Sequence, residues 1–191
     1  AGHLWMKYRD PSWWSISFFA GGKDPNYYVN EMGFNNRNNE RGMGAELEFR
    51  RDNPKGIFLK QDFKISSKRG WSGYSGENII SGNDLDIFLR NQFMNYWSFD
   101  LAVRMNPQSF DDNDLYRDSR AFVVIDEGWT SYQIGFKTDS RKRFVISPGF
   151  DYNVYSMSGI GYNFKIWLSA KPNDKVNFSA YINRRLRPNS F

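Results

Sequence analysis

Cysteine is missing from these 191 residues, and histidine occurs once, at His3. No disulfide or thiolate metal site can form, and a metal site built on several histidines is excluded. A His-assisted nucleophile would have to rely on His3, beside the first residues of the chain. Long apolar runs are also missing. The longest is the five residues Ala121–Ile125, whereas a membrane-crossing helix needs about 20. No Gly-rich nucleotide motif occurs. Gly70, Gly73, Gly76 and Gly82 sit in a Ser/Asn/Gly stretch that reads as a flexible connection. Charge of a single sign is missing too. Against 26 Lys and Arg stand 21 Asp and Glu, a net +5 spread along the chain. A nucleic-acid surface would be one-signed, so no nucleic-acid partner is expected. The length fits one domain, residues 1–191.

What the chain does have is alternation. Phe144, Ile146, Pro148, Phe150 and Tyr152 interleave with Arg143, Val145, Ser147, Gly149 and Asp151. The same pattern marks 4–8, 13–20, 43–50, 57–66, 84–93, 97–105, 131–137, 160–169 and 175–183. Successive side chains of a strand point to opposite faces, so each segment predicts a strand with one apolar and one polar face. Gln61 breaks the apolar row of 57–66. Most of the segments run about 8–11 residues, and a tilted strand needs about 9–11 to cross a bilayer.

The connections alternate as well. Residues 9–12, 52–55, 94–96, 138–142 and 171–174 read as tight turns. Residues 21–42, 67–83, 106–129 and 153–159 read as long loops. Up-and-down topology puts every second connection at one end, and outer-membrane barrels keep short turns at one end and long loops at the other. The predicted fold is therefore all-β, an antiparallel up-and-down transmembrane β-barrel with about ten strands visible. A strongly negative mean hydropathy does not oppose this, because only every second strand residue would meet lipid. The opening Ala1–Trp5 reads as mid-strand rather than as a targeting segment. At the other end, Asn183, Arg185, Arg187 and Asn189 precede Phe191. Both ends suggest a piece of a larger barrel.

The polar faces carry Glu46, Glu48, Asp62, Asp84, Asp86, Asp100 and Asp151 beside Arg50, Lys60, Lys64, Arg90, Arg104, Lys137, Arg143 and Lys165. Mixed signs at this density suit cross-strand pairing in a water-lined lumen. Glu46, Glu48, Asp84, Asp86 and Asp100 could alternatively supply an acid/base pair for glycoside hydrolysis. Tyr27, Tyr28, Trp71, Tyr74 and Trp129 are candidates for stacking on a ligand such as a sugar, or for an interfacial girdle. Asp111, Asp112 and Asp114 form an oxygen-rich cluster of the type that binds calcium, although no EF-hand spacing follows. The competing reading is a solvated loop. No cofactor is expected.

Certain motifs, in order, resemble a family. Asn30-Glu31-Met32-Gly33-Phe34 with Arg37 resembles an N-x-x-G-F-x-x-R element. Gln92–Trp97 resembles an F-K-N-F-W turn, and Asp111-Asp112 through Arg117 a D-D-x-x-T-R loop. Thr138–Lys142 resembles T-D-x-R-K, and Lys171-Pro172-Asn173 before Val176 a late hairpin. Asp118-Ser119 stand where Gly-Gly is usual. Across roughly residues 13–188 the chain is similar to an uncharacterised bacterial outer-membrane β-barrel family. Its members carry an N-terminal carbohydrate-binding module of family-nine type before a large C-terminal barrel. The resemblance implies a barrel segment in the bacterial outer membrane, with the lipid bilayer as partner and glycans or other outer-membrane proteins as further partners. The expected role is non-catalytic: a porin-like pore, a receptor or a surface-binding scaffold linked to glycan handling. The alternatives are a soluble β-barrel or sandwich binding an apolar ligand, and an outer-membrane hydrolase using loop carboxylates.

Overall fold

Each of the ten alternating segments falls on a strand, with at most its first residue outside it. The structure is a computed structural model that describes residues 2–11, 13–23, 40–72, 79–111, 124–173 and 175–186. Its strands are β1 Gly2–Arg9, β2 Trp14–Gly22, β3 Glu40–Arg51, β4 Phe58–Ser72, β5 Ile79–Phe93, β6 Ser98–Asn106, β7 Ser109–Asp111, β8 Val124–Asp126, β9 Trp129–Lys137, β10 Phe144–Tyr155, β11 Gly159–Asn173 and β12 Val176–Leu186. β7 and β8 form a small separate hairpin. The other ten make one antiparallel sheet in the order β1-β2-β3-β4-β5-β6-β9-β10-β11-β12. The described residues contain no helix. β1 and β12 each pair on one side only, so the sheet is open and does not close into a barrel.

Several expected boundaries move. β4, β5 and β11 are 15 residues long, beyond the expected 8–11. The β4–β5 ladder continues to Ser72↔Ile79, so the expected loop 67–83 shrinks to 73–78. The expected loop 153–159 is a turn at 156–158, because pairing runs on to Tyr155↔Gly159. Extended polar stretches such as Lys68-Arg69-Gly70 read as loop on composition, yet they find ladder partners on both sides. The connection 107–128 is long, and it carries the β7–β8 hairpin. Lys171–Asn173 belongs to β11 rather than to a turn.

One ladder row crosses all ten strands. It runs Tyr8, Ile16, Leu47, Ile65, Ile87, Val103, Tyr132, Tyr152, Tyr162 and Leu186, paired residue by residue. Every member is apolar or aromatic, so parity is kept across the whole sheet. Tyr8 is next to last in β1, whereas Leu186 is the eleventh residue of β12. The row thus climbs about one residue per strand relative to the short-turn end. With a rise of about 3.3 Å per residue and strands about 4.8 Å apart, this stagger corresponds to a tilt of roughly 35°.

Burial is inverted relative to a soluble sheet. The apolar face stays open: Leu4 is 58% exposed, Met43 54%, Phe136 44% and Phe164 47%. The buried residues include Ser15, Ser66, Ser131, Asp151 and Asn163, all on the polar face. Among the described residues, the buried hydrophobics are Ala102 and Val145, and both also belong to the polar face. Small side chains let that face close up. Phe19, an aromatic of that face, lies over Gly44, where an added Cβ would come within 2.3 Å of its ring and 2.7 Å of the Ser67 carbonyl oxygen.

Proline sets a further local feature. Pro148 pairs with Ile166 of β11, but the β9–β10 ladder stops at Gly149↔Gly135. A proline has no N–H to give to a ladder. Beyond it Thr138 resumes the connection: its N–H donates to the Ile146 carbonyl, and the Ile146 N–H donates to its hydroxyl, both at 3.0 Å.

Gly44→Val should destabilise the protein by about 1–3 kcal/mol, since the crowding involves backbone as well as the Phe19 ring. Gly82→Ala, with nothing within 4 Å of the added carbon, should be close to neutral. Urea unfolding followed by tryptophan fluorescence compares the two; equal effects would refute the packing of Phe19 on Gly44.

Candidate functional site

The polar face is the chemically equipped surface of the sheet. β-strand periodicity brings Glu46, Glu48, Lys64, Asp62, Asp84, Asp86, Arg90, Asp100, Arg104, Asp151 and Lys165 onto it, in ladder rows with small residues such as Ser15, Ser17, Ser66, Gly135 and Gly149. Arg50 and Lys137 share the same parity. Lys60 sits opposite Gln92 beside a bulge at the start of β4. Arg143 lies just before β10, in the turn end of the same face, where its carbonyl accepts from Lys171 N.

The charges are interleaved as opposite pairs. Lys64 meets Glu46 at 2.9 Å, Arg90 meets Asp100 at 2.7 Å and Arg104 meets Asp86 at 3.9 Å. Lys165 pairs with Asp151, and Asp151 also accepts a 3.0 Å hydrogen bond from Asn163. Glu48 accepts from the Ser15 hydroxyl at 3.2 Å, and Asp84 accepts from the Asn106 amide at 2.7 Å. The carboxylates considered for acid/base work are therefore each engaged with a donor from a neighbouring strand. Exposed pairs of this kind contribute about 0–1 kcal/mol each; their main effect is to fix a mixed-charge surface. Several clefts open on this face among the described residues. One of about 450 Å³ lies among Arg50, Lys60, Asp62, Arg90 and Lys137 near the short turns. Another of about 280 Å³ lies among Trp129, Asn153, Asp151 and Arg185.

Of the aromatic candidates, the two that are described, Trp71 and Trp129, lie on different strands, β4 and β9. Trp71 sits inside β4 rather than in a loop, paired with Arg41 and Ile80, with the Arg69 guanidinium 5.6 Å from its ring centre. Trp129 starts β9 and pairs with Asn106 and Tyr155, on the polar face. Tyr27, Tyr28 and Tyr74 lie outside the described residues, as do Asp112 and Asp114, while Asp111 ends β7. Among the described residues no group of three or more His, Cys, Asp or Glu could hold a metal.

Three arrangements escaped the sequence reading. The first joins two short turns. Asp139, 4% exposed, accepts from the backbone N–H of Arg141 at 3.0 Å and from its Nε and Nη2 at 2.9 and 2.8 Å. The Arg141 guanidinium lies over the ring of Tyr96, which adopts φ 65° in the neighbouring turn. The Thr-Asp-x-Arg spacing is a signal for such an Asx-type turn. The second is a clamp at the opposite end, where Glu127 accepts from the backbone N–H of Met157 at 3.2 Å and of Ser158 at 3.0 Å. It depends on the tight 156–158 turn, which composition had hidden. The third is a polar belt on the apolar face: Arg51 donates to Gln61, and Gln61 donates to Asn91 at 2.9 Å. The Gln61 break in the apolar row was its trace.

Hydrogen bonding from Arg141 holds the Asp139 carboxyl down to about 2. Its folded value is depressed, so the stabilisation it gives is complete above the ordinary carboxylate range, near 3.9, and is lost as pH falls towards 2. The carboxyl should titrate near pH 2 by carbon-13 NMR, and Arg141→Ala should move the midpoint back towards about 3.9. A midpoint near 4 in the unsubstituted protein would mean that the ion pair is not formed.

No curated protein and no solved structure matches the chain. Residues 8–191 match the family model described as a domain of unknown function, DUF5916. That match takes in all but the first seven residues and covers nine complete strands of the sheet, so the chain belongs to the DUF5916 family.

Proposed function

We propose that the chain forms a wall of a transmembrane β-barrel in a bacterial outer membrane, with the exposed apolar face against lipid and the charged face lining an aqueous lumen. The carrying observation is the inverted burial. Large apolar side chains stay open to the surroundings, while Ser15, Ser66, Ser131, Asp151 and Asn163 are enclosed. A soluble sandwich or barrel holding an apolar ligand would place the greasy faces inside.

The dimensions of the apolar face support the reading. On β4, Phe63, Ile65 and Ser67 lie between Gln61 and Arg69; on β5, Leu85, Ile87 and Leu89 lie between Asn91 and Asn83. The eight-residue interval measures about 26 Å along the strand at about 3.3 Å per residue. With a tilt of roughly 35° this becomes about 22 Å, close to the apolar band of about 25 Å in outer-membrane barrels. Aromatic pairs gather near the short-turn end of that band: Trp13 with Phe49 at 5.2 Å, Phe58 with Phe93 at 5.4 Å and Phe99 with Phe136 at 4.9 Å. A tyrosine ladder, Tyr132–Tyr152–Tyr162, stands nearer the other end. Interfacial girdles have this composition.

Within that reading the role is non-catalytic: a porin-like pore, a receptor or a scaffold for surface binding. The interleaved ion pairs favour a wall over a reaction centre, since each carboxylate considered for catalysis is committed to a neighbouring donor. Glycans are proposed as the partners beyond lipid.

Ile87 stands midway between Asn83 and Asn91. Ile87→Arg should cost about 2–4 kcal/mol of stability in lipid. Ser17→Arg, opposite Glu46 on the other face, should cost little. Urea titration in phospholipid vesicles, with heat-modifiable gel migration as the folding readout, measures both. A protein that is monomeric and folded without detergent or lipid would overturn the proposal.

A further inference from the structure

The cleft at the long-loop end of the polar face has features that the charge ladder does not explain. It encloses about 280 Å³, bordered on one side by Arg104 of β6, which is paired with Asp86, and otherwise lined from β9 to β12, three strand spacings or about 14 Å. Two aromatic residues, Trp129 and Tyr155, are register partners in the β9–β10 ladder and line its upper rim. Its next ladder row pairs Asn153 with Gly161, which adds no side chain and leaves the floor low. Below that come Gln133, Asp151, Asn163 and Arg185, consecutive neighbours across four strands.

Asn163 is the telling residue. It is 5% exposed, and its Nδ2 donates to the Asp151 carboxylate at 3.0 Å. A carboxylate can only accept, so the amide orientation is fixed by its partner. That leaves Oδ1, a buried acceptor with no partner. Buried acceptors without a partner are rare in folded proteins and point to a group that completes them. Arg185 beside it makes no ion pair among the described residues. Asp151, by contrast, is already neutralised by Lys165. The cleft thus offers an aromatic rim, amides able to both donate and accept, an unmet acceptor and one surplus cation.

The rim is held before any ligand arrives. Glu127 clamps the 156–158 turn through the Met157 and Ser158 amides, and Ser156 N donates to the Gly128 carbonyl at 2.8 Å. Gly128 is itself packed so closely that an added Cβ would meet Gln108 N at 2.7 Å. Trp129 and Tyr155 are the residues adjoining these fixed points on either side. Rigid positioning lowers the ordering cost of binding.

We infer that this cleft is a binding site for an acidic saccharide, a short chain of pyranose rings bearing a carboxylate. Ring faces stack on Trp129, sugar hydroxyls donate to Asn163 Oδ1 and exchange hydrogen bonds with Asn153 and Gln133, and the carboxylate pairs with Arg185. A bare anion would use Arg185 but not the aromatic rim, and an apolar ligand would leave Asn163 Oδ1 unmet. The inference rests on the barrel-wall reading for its location at the mouth of the lumen, not for its chemistry.

The test uses the full chain folded in detergent or lipid vesicles, titrated calorimetrically with trigalacturonate, with a neutral trisaccharide of galactose and with inorganic phosphate. Trigalacturonate should bind at least about tenfold more tightly than the neutral sugar, the equivalent of one charge-assisted hydrogen bond. Trp129→Ala should weaken both sugars by about tenfold or more. Arg185→Gln should remove the preference for the acid and leave the neutral sugar unchanged. Phosphate binding as tightly as trigalacturonate, or sugar binding indifferent to Trp129→Ala and Arg185→Gln, would overturn the assignment. So would a chain that shows heat-modifiable migration, and is therefore folded, yet binds none of the three. A soluble, lipid-independent chain that binds trigalacturonate in this pattern would retain the cleft and refute the wall.

Discussion

Register is the constraint on which everything else in this molecule depends. Nine antiparallel ladders hold the ten main strands together, and in each the pairing keeps the apolar face of one strand beside the apolar face of the next. A slip of one residue in any ladder would send one strand's side chains to the wrong face. The irregularities fall where they do least harm: at Phe58/Lys60 and Gly70/Trp71 near the two ends of the β4–β5 ladder, and at Ala170/Asn173 beside the β11–β12 turn. Between them the central rows run without interruption. Both the inverted burial and the mixed-charge surface follow from that continuity.

The two faces solve different packing problems. Serine, glycine and alanine on the polar face leave space for long charged side chains to reach across strands and for rings such as Phe19 to lie flat. That face carries the clefts and most of the enclosed residues. The apolar face carries large side chains with little between them, and they remain open because no second layer of the described chain covers them. Burial of this face against something outside the sheet would supply the hydrophobic term that an ordinary core supplies within a domain. The turns then need local means of stability. Asp139 and Arg141 serve at one end and Glu127 at the other, each using charge-assisted hydrogen bonds to backbone N–H groups or to a guanidinium.

Much of this was legible in the sequence, because side-chain parity is written directly into a strand. Phe144 through Tyr152 and Ile160 through Leu168 could be assigned to faces without coordinates, and the structure keeps those assignments. The limits of the strands were less legible. Lys68-Arg69-Gly70 and Asn153-Val154-Tyr155 extend because partner strands meet them, a non-local effect that composition does not carry. Trp71 was grouped with loop aromatics for the same reason and lies inside β4. The cleft was half visible: Trp129 stood out as an aromatic near a loop, but Asn163, Tyr155 and Arg185 have no signal of their own. They become a group only through three successive ladders.

The open edges place a condition on the lumen. In lipid, every unpaired backbone group on β1 and β12 would cost several kcal/mol, on the order of burying a polar group without a hydrogen bond. Within the barrel-wall reading both edges must therefore find partners, either each other or further strands. These choices differ in what they leave inside. An eight-stranded barrel has an interior about filled by its own side chains, whereas 16 or more strands leave a channel. Ten strands lie near the filled limit, and the inward face here is not small throughout. It bears Trp5, Phe19, Phe88, Trp129 and Trp167 as well as Arg50, Arg90 and Arg104, whose side chains are more than half exposed in the open sheet. Closing β1 onto β12 would bring these groups together and consume the clefts that they line. An aqueous lumen that keeps the clefts and the hydrated guanidinium groups requires a wider ring than these ten strands make alone.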